Sequence, residues 1–372
     1  MKKFASLVMA LAMAMCLLGG CGGKTTEQNA GPVTANPNYP NNGTINCVIG
    51  WSAGGTTDLI ARKVASEVGV ATGANNNCTN VTGASGSIAA AQVVANGQDG
   101  ETAWGGMISA VNTWRAMDYN DYSWKDFYCF ISAQTDYVLC VGKGSQFTTY
   151  QEFIDYASAN PDKLTSGNPG LGSVGHLAAV TMCNTFGIST QHVPYAGGRA
   201  AAIGVMGGEI EYVFIAYGDV ADLIKSGDLV ALGCTGNEKT INTTGGASYT
   251  VPSFDEEHPE IAETINKLAM WGVALPRTAP AEQVLAFEKA WKAAVTSESY
   301  LKYCEEIGVT PVAICGEEAD QTMAAGEAAY VEILEQQKLT AKSAADLGIA
   351  SSADYSWDKV DTSDVIAWPT EG

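Results

Sequence analysis

One pattern occurs three times in this chain and limits what it can fold into: an apolar run, a turn of glycine, serine and threonine, then a helical pattern. The first copy passes from INCVI (45–49) through WSAGGTTD (51–58) into LIARKVASEV. The second is VTGASGSIAAAQVVA (81–95) and the third is LTSGNPGLGSVGHLAAV (164–180). Further strand candidates are DYVLCV (136–141), QHVPY (191–195), EYVFIAY (211–217) and LVALGCT (229–235). They alternate with amphipathic segments such as TYQEFIDYASA (149–159) and DVADLIKSG (219–227). That alternation predicts an α/β architecture with largely parallel sheets. The last third is helical over 280–295 and 316–337, and 340–372 reads as an acidic tail that Trp357 and Trp368 could dock to the body.

A glycine pair at a strand-to-helix junction turns the backbone sharply and frees amide N–H groups. Helix N-termini also carry about half a positive charge, so they receive anions without lysine or arginine. Three such ends meeting at one crevice would make an anion site in an acidic protein. Taken singly, each is equally a tight turn with a Ser or Thr cap, and Asp58 can cap its own helix. Gly170, Gly172 and Gly175 form a literal GxGxxG. A dinucleotide fold would place an acid about 20 residues later, where this chain reads TQHVPY.

The N-terminus is a targeting segment. Lys2 and Lys3 precede the apolar stretch FASLVMALAMAMCLL, which ends in LGGC at Leu18–Cys21. That core is shorter than the ~20 residues of a spanning helix, and its layout is that of an export signal over 1–20. A cysteine after Leu-Gly-Gly makes Cys21 a candidate for lipidation, with several alkyl chains as the anchor. Residues 22–44, rich in Gly, Asn, Thr and Pro, read as a flexible tether reaching on the order of 25 Å. About 330 residues remain, enough for two α/β domains.

The formal charge is −20, and loss of Lys2 and Lys3 makes it more negative still. Such a surface argues against nucleic acid as a partner. The eight cysteines after Cys21 fall in no CxxC arrangement, which leaves core thiols or disulfides open. His176, His192 and His258 match no metal spacing, and nothing points to a metal or cofactor. Ser85 and Ser173 lack a GxSxG elbow, so an exported serine hydrolase using either is the weaker alternative. His176, beside an apolar helix face, reads as a packing or locally bonded residue.

Together these blocks resemble the substrate-binding proteins of tripartite tricarboxylate transporters, the Bug-type receptors. The resemblance covers roughly 45–340. It is carried by AGGTTDLIAR (53–62), GASGSIAAAQVVANGQDGET (83–102), PGLGSVGHLAA (169–179), HVPYAGGRAA (192–201), GGEIEYVF (207–214), IKSGDLVALGCTG (224–236) and EEIGVTPV (305–312). It implies a two-lobed periplasmic-binding-protein fold of type II with two crossovers, near Val141–Gly144 and Gly233–Asn237. Lobe one would hold 45–142 and 237–340, lobe two 143–236, with 341–372 a C-terminal extension.

The resemblance also implies a receptor that performs no catalysis. It would capture a small carboxylate (a di- or tricarboxylate or an acidic amino acid) in the interlobe cleft and deliver it to a membrane permease. A sensory receptor of the same fold is the alternative. By the same resemblance, the first loop (Trp51, Ser52, Gly54, Gly55, Thr56, Thr57) and the loop of Gly172 and Ser173 hold the ligand, largely through backbone amides and water. Ser85, Gly86 and Ser109 would complete the lobe-one wall, and Tyr195, Gly197 and Gly198 the lobe-two side. Asp58 either touches the ligand or braces its loop. Three positions depart from the family: Ser52 replaces a common proline, Ile215 and Ala216 replace an acid and an amide, and Arg199 adds a charge.

Overall fold

The structure, a computed structural model, describes residues 33–372. The signal segment and Cys21 lie outside the described residues. The first part of the chain builds β1 (Thr44–Ile49), α1 (Thr56–Thr72), β2 (Asn75–Asn80), α2 (Ser87–Asn96), β3 (Thr102–Met107), the short α3 (Val111–Trp114) and β4 (Phe127–Gln134). The middle builds β5 (Tyr137–Gly142), α4 (Tyr150–Ala159), β6 (Thr165–Asn168), α5 (Val174–Phe186), β7 (Gln191–Pro194), α6 (Gly198–Gly207), β8 (Tyr212–Ala216), α7 (Ala221–Ser226) and β9 (Leu229–Cys234). A hairpin of β10 (Lys239–Asn242) and β11 (Ser248–Val251) and then α8 (Pro259–Leu268) lead back to the first part. There β12 (Met270–Pro276), α9 (Ala281–Val295), α10 (Glu298–Ile307), β13 (Thr310–Ile314), α11 (Glu317–Gln336) and α12 (Ala344–Leu347) follow.

Two sheets result. The first has the order β13-β4-β12-β3-β1-β2 and the second β7-β6-β8-β5-β9. β1 pairs parallel with β2 and β3, and β6 pairs parallel with β7 and β8. In each sheet the first strand after a crossing runs against its neighbours: β5 between β8 and β9, and β12 between β3 and β4. Both strands, YVLCV and MWGVALP, are continuous apolar runs and are buried along their length, as a strand covered on two faces requires. This is the two-lobed binding-protein fold of type II. The first crossing, expected at Val141–Gly144, falls earlier. The chain leaves the first sheet after Gln134 and enters the second at Tyr137, because DYVLCV pairs wholly within the second sheet. The two crossing segments bond to each other, Thr235 N to Tyr137 O at 2.9 Å and Tyr137 N to Thr235 Oγ1 at 2.8 Å.

Helix boundaries follow local chemistry. α1 stops where Gly73 adopts the left-handed conformation (φ 73°) and its N–H bonds Gly69 O, the ordinary glycine C-cap. α5 starts at Ser173, whose hydroxyl accepts from His176 N, a side-chain N-cap. All eight cysteines among the described residues are free thiols, six of them buried.

Both ends of the described chain dock on the first lobe. The tether expected over 22–44 is already packed from Val33. Tyr39 buries its ring against Phe287 and donates to Gly100 O, and Val33 N bonds Thr370 O. Asn36 and Asn41 add bonds to Gln283 and Glu101. The tail lies along α11 and β4. Trp357 meets Trp124 at 5.9 Å, and Trp368 sits 5.0 Å from Tyr128 and 5.3 Å from Phe130. Beneath it Arg277 pairs with buried Asp320, bonds Ile366 O and lies over the Tyr128 ring. Removing one member of a buried pair strands the other charge. Asp320→Ala should therefore cost about 3 kcal/mol in urea denaturation and make the tail sensitive to limited proteolysis. An unchanged denaturation midpoint would mean the pair does not hold the tail.

Candidate functional site

The site is built around aromatic packing. Trp104 stacks near Trp51, Trp114 and Phe127, with centroids 6.4, 5.1 and 5.8 Å away. Trp51 closes over Gly86, where a Cβ would lie 2.6 Å from the indole. Gly86 (φ 83°) therefore serves both a left-handed turn and a close approach. The other side of Trp51 faces the space between the lobes.

That cleft, with about 10 Å³ of free space, is lined from lobe one by Trp51, Ser52, Gly55, Thr57 and Met107, with Tyr137 at the crossing. Lobe two supplies Pro169 and Gly175 at the start of α5, and Gly197 and Gly198 at the start of α6. Ile215, Ala216 and Asp219 follow at the end of β8. Helix ends do gather at one crevice, but the set is α1, α5 and α6. The start of α2, expected among them, sits behind Trp51.

Polar contacts join the lobes. Ser52 N bonds Ala196 O at 3.1 Å, and Thr56 N bonds Asp219 Oδ1 at 2.6 Å. Ser85 Oγ and Tyr119 Oη both donate to Leu171 O at 2.9 Å. α1 begins at Gly55 without a side-chain cap, so Asp219 of the other lobe supplies the anion its N-terminus accepts. Burial pushes the Asp219 carboxyl up to about 6, opposed by its bonds to Thr56 and by Arg199. The Tyr137 hydroxyl is fully buried and has no hydrogen-bond partner among the described residues.

The residues expected from the sequence divide. Trp51, Ser52, Gly55, Thr57, Gly197 and Gly198 line the cleft, and Thr56 meets it through its backbone N–H. Gly54 is exposed, and its N–H donates to Asp58. Asp58 also accepts from Arg62 Nε and Asn80 Nδ2, at 2.7 and 2.8 Å, so it braces the loop. Ser85 joins the lobes at their rim, held by a strained positive φ of 50°. Gly172 packs on Met117, and Ser173 is a buried cap. Ser109 lies in the first lobe's core, accepting weakly from Met270 N. Tyr195 turns away because its ring packs on Gly204 and its hydroxyl donates to Glu209. Arg199 pairs with Asp222 and donates to Asp219 O.

Two lobes closing on a cleft of helix ends define a solute-binding receptor. The model of the Tripartite tricarboxylate transporter family receptor matches residues 60–339, and the chain belongs to that family. Its receptors are non-enzymatic and act outside the cytoplasm. The UPF0065 protein in gbd 5'region of Cupriavidus necator is 27% identical over 274 residues, 72% of this chain and 79% of that protein. Among solved structures, the periplasmic binding protein BugD aligns with a TM-score of 0.71 at 19% identity, over 80% of this chain and 98% of that one. R. palustris Rpa4515 with adipate aligns at 0.65 and 25% identity, over 83% and 98%.

Two outcomes follow from this geometry. Gly55 has ordinary extended angles (φ −87°, ψ 170°), but an added Cβ would lie 2.8 Å from Asp219 Oδ1 and 3.5 Å from Arg199 Cβ. Gly55→Val should thus wedge the lobes apart. Ligand binding should be lost and small-angle scattering should show a larger particle, with ligand-free melting nearly unchanged. Normal binding by the valine variant would place the ligand elsewhere.

His176 accepts from Gly172 N through Nδ1 at 3.1 Å, which requires the neutral ring. Burial, then His192, lowers it to about 4. The neutral form's contribution is complete above the unfolded value of about 6.5 and drains away as pH falls towards 4. Urea stability should drop by roughly 2 kcal/mol between pH 7 and pH 5 from this group, and His176→Phe should remove that slope. An NMR titration showing His176 charged at pH 6 would contradict it.

Proposed function

We propose that this receptor captures a small carboxylate in the interlobe cleft and hands it to the membrane permease of a tripartite tricarboxylate transporter, anchored through lipid on Cys21. The observation that carries this reading is the set of three helix N-termini, drawn from both lobes, that face one cleft. Backbone amides aimed from helix ends keep their direction and do not titrate, which suits a carboxylate. A ligand touching both lobes binds the closed arrangement better than the open one, and that difference drives closure. The family name and Rpa4515, described with adipate, point to the same ligand class. No helix among the described residues is long and apolar enough to cross a membrane.

A thermal-shift screen of residues 33–372 against mono-, di- and tricarboxylates and amino acids tests the binding reading. A ligand at 100 times its dissociation constant should add about 2.7 kcal/mol. Silence across the panel from ligand-free protein would sink it. For the anchor, Cys21→Ser should move the full-length protein from the detergent phase to the aqueous phase, and an unaltered partition would refute lipidation.

A further inference from the structure

The cleft has an unusual charge for a carboxylate site. Among the described residues lining it, Asp219 is the one charged side chain, and it is an acid. A neighbouring cation, Arg199, spends its guanidinium on Asp222 and on the Asp219 carbonyl oxygen. Asp219 itself accepts from Thr56 N, so the donor end of α1 is already taken. By contrast, α6 begins at Gly197 without a side-chain cap, and its first residues line the same cleft. Beside them the buried Tyr137 hydroxyl lacks a partner among the described residues. A buried carboxylate is poorly screened, so it repels a second anion and attracts a cation strongly.

We propose that Asp219 sets the substrate class of this receptor: a small carboxylate that also carries an ammonium group, an amino acid. Asp219 accepts the ammonium, the α6 N-terminus takes the carboxylate, and the Tyr137 hydroxyl completes the polar contacts. This rests on the receptor reading above and narrows it. The backbone donors recognise a carboxylate of any kind, so the ammonium is the group by which Asp219 discriminates. Asp58, which the sequence left as a ligand contact or a brace, is consumed by its own loop.

Calorimetry on residues 33–372 and on Asp219→Asn, with matched pairs, decides the matter: aspartate against succinate, glutamate against glutarate, alanine against propionate. The wild-type protein should bind the amine-bearing member of at least one pair tenfold or more tighter, about 1.4 kcal/mol. Asp219→Asn, whose amide oxygen can still accept from Thr56 N, should lose that preference while holding the desamino partner as well or better. Equal or tighter wild-type binding of the desamino member overturns the proposal and leaves the receptor reading standing. So does an asparagine variant that keeps the amino-acid preference. Silence from every pair overturns the proposal, and if it extends to the whole carboxylate screen the receptor reading falls as well.

Discussion

An uncapped helix end is the constraint around which this molecule is arranged. α1 starts at Gly55 with no side chain to satisfy its first N–H groups, and the partner arrives from the other lobe. Thr56 N meets Asp219 Oδ1 across a sequence separation of 163 residues. Everything nearby serves that meeting. Asp58, Arg62 and Asn80 fix the loop, the Trp51–Trp104–Trp114 stack sets its floor, and glycines at 55, 197 and 198 let two backbones approach where any side chain would intrude. The cleft is closed by an internal carboxylate sitting where a helix end calls for an anion.

Much of the fold could be read from local pattern. The five strand runs named from the sequence all form strands, because a short apolar stretch between turns states its period within a few residues. The hairpin of β10 and β11 went unread. Its residues, KTIN and SYTV, are half-polar and sit at the edge of the crossing segment, so no continuous apolar run marks them. The first crossing was displaced for a related reason: DYVLCV declares itself a strand but not which sheet it joins. That choice is made by pairing with β8 and β9, far along the chain.

The site was readable where its chemistry is backbone chemistry and opaque where it depends on closure. Gly55, Gly197 and Gly198 announce close approach by being glycine. Asp219 sits in YGDVADL, which reads as the entry to a helix; nothing local says that its carboxylate will reach another helix's end. Tyr195 misled in the opposite direction. An aromatic beside a glycine pair looks like a wall of a pocket, yet the space above Gly204 gives its ring a better place to pack.

The docking of both chain ends has a mechanical consequence. Val33 pairs with Thr370 and Glu371, and the whole tail from Ala341 onward runs over the first lobe. The described chain therefore begins and ends on that one lobe. Among the described residues, the second lobe is reached through the two crossing segments and neither chain end lies on it. Of the two halves, the first is braced by both ends of the described chain, and the half bearing Asp219 is held through the crossings and the cleft contacts.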